Sequence, residues 1–149
     1  MQRRQVIQST TAVAVLGTTL LQSTAHAAYN PNAFAAKTIA DAVKAYGGGA
    51  LIASADINLT APDIAENGSV VPLGAATNLP NIKQLLILVE KNPSPLVAAF
   101  GVNPAIDANI ATRAKMGQSS DVYAVAITND GRALFSKKEV KVTLGGCGG

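Results

Sequence analysis

The sequence predicts a mainly β fold: a β-sandwich of about seven strands preceded by one N-terminal helix. Three observations lead there. Apolar residues make up 48% of the chain but aromatics only 4%, with no Trp, so the core must be assembled from Val, Ile, Leu and Ala. Short apolar runs recur from residue 57 to residue 144. Several have period two and most close on Pro, Gly or Asn, as half-buried strands and their turns require. A single earlier stretch repeats with a spacing near four. The 149 residues suffice for one domain.

Asn30 offers an N-cap, and Pro31 suits the first helical position. Phe34, Thr38, Ala42 and Tyr46 are spaced by four, with Ile39 and Val43 flanking the stripe and Gly47 following as a C-cap. Residues 31 to 46 are therefore expected as one amphipathic helix. Ile57 and Leu59 then alternate with polar neighbours until Pro62. Val70-Val71-Pro72-Leu73 contains a proline and is expected at a sheet edge. Ile82 to Glu90 is an almost unbroken apolar run, ended by Asn92-Pro93-Ser94-Pro95. It reads as core or as an interface to a partner, since exposed it would invite aggregation. Leu96 to Val102, Ala111 to Met116 and Val122 to Thr128 follow as strands. Asn129-Asp130-Gly131 is a hairpin turn into Ala133-Leu134-Phe135. Val140, Val142 and Leu144 then alternate with Lys141 and Thr143. Short strands at this spacing suit a sandwich of immunoglobulin type.

Residues 1–27 read as an export signal and not as part of the fold. Arg3-Arg4 opens it, an apolar stretch from Val13 to Leu21 follows, and Ala25-His26-Ala27 resembles a cleavage site. The stretch is far shorter than the roughly 20 residues a bilayer span needs. The paired arginines point to twin-arginine export, although Gln5-Val6-Ile7 departs from that pattern and an ordinary secretory signal stays open. The expected division is 1–27 export signal, 28–144 sandwich with its helix, and 145–149 a C-terminal arm. The processed chain is expected in the periplasm.

Cleavage near Ala27 removes His26, the only histidine. Without histidine there is no Ser-His-Asp or Cys-His hydrolase machinery and no histidine metal site, and one cysteine makes no thiolate cage. No metal, cofactor or catalytic residue is expected. No Lys/Arg cluster is interleaved with aromatics, so nucleic acid is not expected, nor is a membrane partner.

What remains is the tail Gly145-Gly146-Cys147-Gly148-Gly149. Glycine keeps the most backbone freedom of any residue, so a mobile arm is expected, with Cys147 able to enter a partner's pocket. A thiolate is strongly nucleophilic and exchanges bonds to sulfur reversibly. An unperturbed thiol, with a pKa of about 8.5, is a few per cent ionised at neutral pH. An odd cysteine in an exported protein also suits an intermolecular disulfide or a plain free thiol. Sulfur loading on the terminal Gly-Gly carboxylate would need ATP-dependent activation, which an export signal disfavours.

The ending Val140-Lys141-Val142-Thr143-Leu144-Gly145-Gly146-Cys147-Gly148-Gly149 resembles that of SoxY, the carrier family of the bacterial thiosulfate-oxidising system. Ala61-Pro62-Asp63-Ile64-Ala65-Glu66-Asn67-Gly68-Ser69-Val70-Val71-Pro72 resembles a second segment of that family. Thr112-Arg113-Ala114-Lys115-Met116 and Ser119-Ser120-Asp121-Val122 resemble a third. The resemblance runs over nearly the whole processed chain.

It implies an immunoglobulin-like sandwich paired with a SoxZ-like subunit as a heterodimer. It implies a carrier of sulfur intermediates that is not itself an enzyme. It implies that thiosulfate is joined oxidatively to Cys147 by a c-type haem enzyme, held as S-thiosulfonate and persulfide species, and relieved of sulfate by a manganese hydrolase. In some organisms a sulfur dehydrogenase acts afterwards. Gly145, Gly146, Gly148 and Gly149 would be the arm. Lys137, Lys138 and Lys141 lie just before it and are candidates to favour the thiolate or its anionic cargo by charge. Glu66-Asn67-Gly68 is expected as a turn with a left-handed glycine, and Arg113 with Lys115 as a solvated strand face. The competing reading is a secreted sandwich-type binding module dimerised through a Cys147 disulfide.

Overall fold

A computed structural model describes residues 29–143. The export signal 1–27, Cys147 and its four glycines all lie outside the described residues. Two short helices, not one, precede the strands: α1, Pro31–Ala35, and α2, Ile39–Ala45. Asn30 caps α1 by accepting from the Ala33 amide at 3.2 Å, with Pro31 in the first turn, as expected. The break comes at Thr38. Its backbone is extended, at φ −126° and ψ 156°, and its hydroxyl accepts from the Asp41 amide to cap α2. A β-branched residue with a hydroxyl serves better as a cap than as a mid-helix stripe. The Asn30 side-chain amide donates to the Ala45 carbonyl at 2.8 Å and ties the two helices together. Gly47, at φ +75°, ends α2 as a left-handed C-cap.

Nine strands follow: β1 Leu51–Ala53, β2 Ile57–Thr60, β3 Ile64–Ala65, β4 Val71–Thr77, β5 Ile82–Val89, β6 Leu96–Gly101, β7 Asn109–Ala114, β8 Ser120–Thr128 and β9 Ala133–Val142. The larger sheet has the order β1-β9-β8-β5-β6, with β3 also on β9, and the smaller sheet is β2-β4-β7. The fold is the expected immunoglobulin-like sandwich. β1 and β3 are additions to the expected strands. Both run parallel to β9, along opposite halves of its outer edge. The two runs expected at 133–135 and 140–144 are one ten-residue strand, β9, because the charged stretch between them keeps its pairing to β8.

Val71–Thr77 is the centre of the smaller sheet, not an edge. Its proline is tolerated because β2 pairs only as far as Thr60 opposite Gly74, which leaves β7 as the sole neighbour of Pro72.

The core has two compartments. Between the sheets, Leu85, Ile87, Val89, Val122, Ala124 and Ala126 pack against Val71, Leu73 and Ala75. On the other face of the larger sheet, Leu86, Leu88, Val125 and Ile127 pack under Ala33, Ile39, Ala42 and Val43 of the helices. β5 is thus covered on both faces, and Leu85 to Val89 are each 0% exposed. Its apolar run is core, the first of the two expected readings. Two-sided burial removes the need for polar alternation. The hairpin from β8 to β9 turns as expected, with Gly131 at φ +88° and the Thr128 amide donating to the Arg132 carbonyl at 3.0 Å.

Candidate functional site

β9 runs the length of the larger sheet and delivers the chain to its C-terminal segment. Its last residues are held on both sides. On the outer side, Lys141 donates to the Asp63 carbonyl at 3.0 Å, and Thr143 donates to the Ala65 carbonyl at 3.1 Å. On the inner side, β8 begins at Ser120 opposite Val140, so no strand backbone faces Val142. The Ser119 hydroxyl fills that place and accepts from the Val142 amide at 2.9 Å.

The Glu66-Asn67-Gly68 loop closes over this end, in a way the sequence did not indicate. Gly68 has no left-handed backbone, since among described glycines only Gly47 and Gly131 have positive φ. The turn is made by Asn67, whose side-chain oxygen accepts from the Ser69 amide at 2.9 Å. Gly68 is needed for space. A Cβ there would lie 2.3 Å from the Met116 carbonyl oxygen and 2.8 Å from Val142 Cγ1. The Met116 amide donates to the Gly68 carbonyl at 2.7 Å. Segments distant in sequence therefore meet at Val142 and Thr143.

The three candidate lysines do not converge. Side chains alternate along a strand, so Lys137 and Lys141 lie on one face of β9 and Lys138 on the other. Lys137 pairs with Asp121 at 2.7 Å and sits 5.7 Å from the centre of the Tyr123 ring. The hydrogen bond it donates to the Asp121 carboxylate holds its ammonium pKa above the ordinary lysine value. Lys138 pairs with Asp63 at 2.8 Å and donates to the Ala61 carbonyl at 2.8 Å. The hydrogen bond that Lys138 donates to the Asp63 carboxylate first, and the lysine charge second, hold that carboxyl below its ordinary value. Lys141 is exposed and makes no ion pair among the described residues. It lies about 7 Å before Thr143 along the strand, and Lys137 about 20 Å. Sequence alone could not supply the aspartate partners, because Asp63 lies far from Lys138 in the chain.

The concave surfaces lie elsewhere. An open cleft of about 720 Å³ is lined by Asn78, Asn81, Asn103 and Asp107, near the start of β5 and the end of β8. That end is opposite the one where β9 stops. A second, of about 550 Å³, covers the outer face of the smaller sheet, with Pro72, Gly74, Ala111 and the exposed Arg113 in its walls. Arg113 and Lys115 are both solvated, as expected. Among the described residues, no group of three or more His, Cys, Asp or Glu is placed to hold a metal ion.

Comparison with known proteins adds to this picture. Residues 42–147 match the family model of sulfur oxidation protein SoxY. Among solved structures, that of the sulfur carrier protein SoxY from Chlorobium limicola f thiosulfatophilum superposes with a TM-score of 0.63 at 34% identity. The alignment covers 70% of this chain and 94% of that one. A superoxide reductase (neelaredoxin) from Ignicoccus hospitalis superposes with a TM-score of 0.51 at 16% identity, covering 58% of this chain and 80% of that one. At that identity the likeness concerns the sandwich fold alone. A search of curated proteins returned no match.

Proposed function

The chain belongs to the SoxY family of sulfur oxidation proteins, and from that premise we propose that it carries sulfur intermediates of thiosulfate oxidation covalently on Cys147. The match to the family and to a solved sulfur carrier protein supports the carrier role itself. One observation carries the finer reading: the family match extends through Cys147, the only cysteine in the chain. The described part of the molecule offers a frame that ends four residues before that thiol.

The chemistry asks little of the carrier. The Cys147 thiolate and thiosulfate lose two electrons to a c-type haem partner and form an S–S bond, giving a cysteine S-thiosulfonate. Water then attacks the terminal sulfonate sulfur on a manganese hydrolase. The S–S bond to that sulfur breaks, sulfate and protons leave, and a persulfide stays on Cys147. The partners provide the oxidant and the hydrolytic machinery. The carrier contributes a nucleophile and its presentation, so no catalytic residue is assigned to this chain. The same reading places the processed chain in the periplasm after twin-arginine export, in a heterodimer with a SoxZ-like subunit.

Intact mass spectra of the protein purified with its natural partners test this, beside Cys147→Ser. An adduct of thiosulfate or of extra sulfur on Cys147, released by reductant and absent from the variant, is the expected result. A bare thiol or a protein–protein disulfide, after exposure to thiosulfate and the haem enzyme, would overturn it. The disulfide would favour a dimerised binding module instead.

A further inference from the structure

We propose that Asn67 is a site of spontaneous modification, a latent succinimide that the packing of Gly68 holds back. Asn67-Gly68 is the only Asn-Gly pair in the chain. A following glycine has no Cβ and gives the least hindrance to attack on the asparagine side chain. Both reacting groups are at hand. Asn67 is exposed, and its side-chain oxygen accepts from the Ser69 amide at 2.9 Å, which polarises the Cγ carbonyl. The Gly68 amide has no acceptor among the described residues. The Gly68 nitrogen, on losing its proton to hydroxide, attacks Asn67 Cγ. The Cγ–Nδ2 bond breaks, ammonia leaves with a proton from water, and the succinimide closes through the main chain. Water then opens the ring at one carbonyl to give aspartate, or at the other to give isoaspartate. No oxidant or enzyme enters the balance.

Closure requires the Asn67–Gly68 peptide to swing onto the side chain, and the fold holds that peptide still. The Gly68 carbonyl accepts from the Met116 amide at 2.7 Å. Around its Cα there is no slack: a Cβ at Gly68 would lie 2.3 Å from the Met116 carbonyl oxygen and 2.8 Å from Val142 Cγ1. Reaction therefore waits for the loop to lift, and its rate follows the open fraction. One hydrogen bond of ordinary strength makes the closed loop at least about fivefold slower than a free peptide. The two products differ in what they leave behind. Aspartate keeps the acceptor for the Ser69 amide and the length of the main chain. Isoaspartate routes the main chain through Cβ and Cγ and lengthens it by about 1.5 Å, beside a glycine that has no room to shift. The isoaspartyl loop cannot reseat on Met116, so this product unfastens the cover over the end of β9.

The test ages the full chain at mildly alkaline pH beside a synthetic peptide of residues 61–72. Conversion of Asn67 is read by the mass of its proteolytic fragment, and isoaspartate by methyl transfer from an isoaspartyl methyltransferase. The folded chain is expected to convert Asn67 at least about fivefold more slowly than the peptide. Past its urea midpoint the chain should match the peptide in the same urea. Chain aged in urea is then refolded and separated into its products. Exchange of the Met116 amide should speed about fivefold or more in the isoaspartyl form. It should hold in Asn67→Asp, which supplies the other product without ageing. An isoaspartyl chain that does not refold while Asn67→Asp does would support the proposal by the same contrast. Equal rates in folded chain and peptide would overturn it, as would slow conversion that persists in urea, because packing would then not be what restrains the site. So would a Met116 amide as protected in the isoaspartyl form as in the original chain.

Discussion

Gly68→Ala is the sharpest test of how the end of β9 is packed. The added Cβ would sit 2.3 Å from a backbone oxygen, that of Met116, and 2.8 Å from Val142 Cγ1. The oxygen must retreat by about 1 Å to reach an ordinary contact. It belongs to the main chain next to a buried side chain, Met116 being 1% exposed, so it cannot swing aside as a side-chain tip would. Overpacking of this kind costs about 1–3 kcal/mol. The bond from the Met116 amide to the Gly68 carbonyl is strained by the same movement, which adds about 1 kcal/mol. The sum is about 2–4 kcal/mol. With a urea slope of about 2 kcal/mol per molar, the unfolding midpoint falls by about 1–2 M. Gly117→Ala is the internal control. It lies next to Met116 in sequence, has no positive φ, and meets nothing within 4 Å of its added Cβ. Its midpoint should hold to within a few tenths of a molar. Equal midpoints for the two variants would show that the loop does not press on Met116 and Val142 as described.

Two further outcomes follow from the packing and the ion pairs. Leu86→Ala empties a site that is 0% exposed beneath α1 and α2 and should cost about 2–5 kcal/mol. Ile52→Ala, at a side chain 48% exposed, should stay within about 0.5 kcal/mol; urea midpoints of similar size would refute the two-compartment core. The Asp63 carboxyl is held below its ordinary value by Lys138. Its contribution to stability is therefore fully present above the ordinary carboxylate pKa and is lost as pH falls through the lowered folded value. A carboxyl titration followed by NMR should show Asp63 titrating below its usual range, and Lys138→Met should return it there. No change in the variant would mean that solvent already screens the pair.

Much of the fold was legible because its signals are local. A run of alternating apolar residues marks a strand wherever it pairs, and β2, β5, β6 and β8 were read from their own residues. So were the Asn30 cap and the Gly131 turn. The failures are of the opposite kind. β1 and β3 are too short to show a period, and each exists because β9, some 80 residues on, supplies an edge. Thr38 fits an i, i+4 stripe by spacing alone, yet its hydroxyl finds an amide to cap, and capping wins over continuation. Pro72 signalled an edge correctly for its own position, but β4 gains its second neighbour two residues later. The lysines before the arm read as one positive group because the carboxylates that pair two of them, Asp121 in β8 for Lys137 and Asp63 before β3 for Lys138, are brought beside them only by the fold.

The site divides the same way. Cysteine chemistry is legible from composition, since a lone thiol among glycines on a chain without other nucleophilic machinery has few uses. Its placement is a tertiary matter. Past Val140 the end of β9 no longer has β8 beside it, yet Ser119 accepts from the Val142 amide and Gly68 leaves room for Met116 and Val142. Neither residue carries a chemical signature. A serine beside a strand and a glycine in a loop are ordinary until the fold shows what faces them, so residues that hold a strand end are found by asking which amides there would otherwise go unpaired.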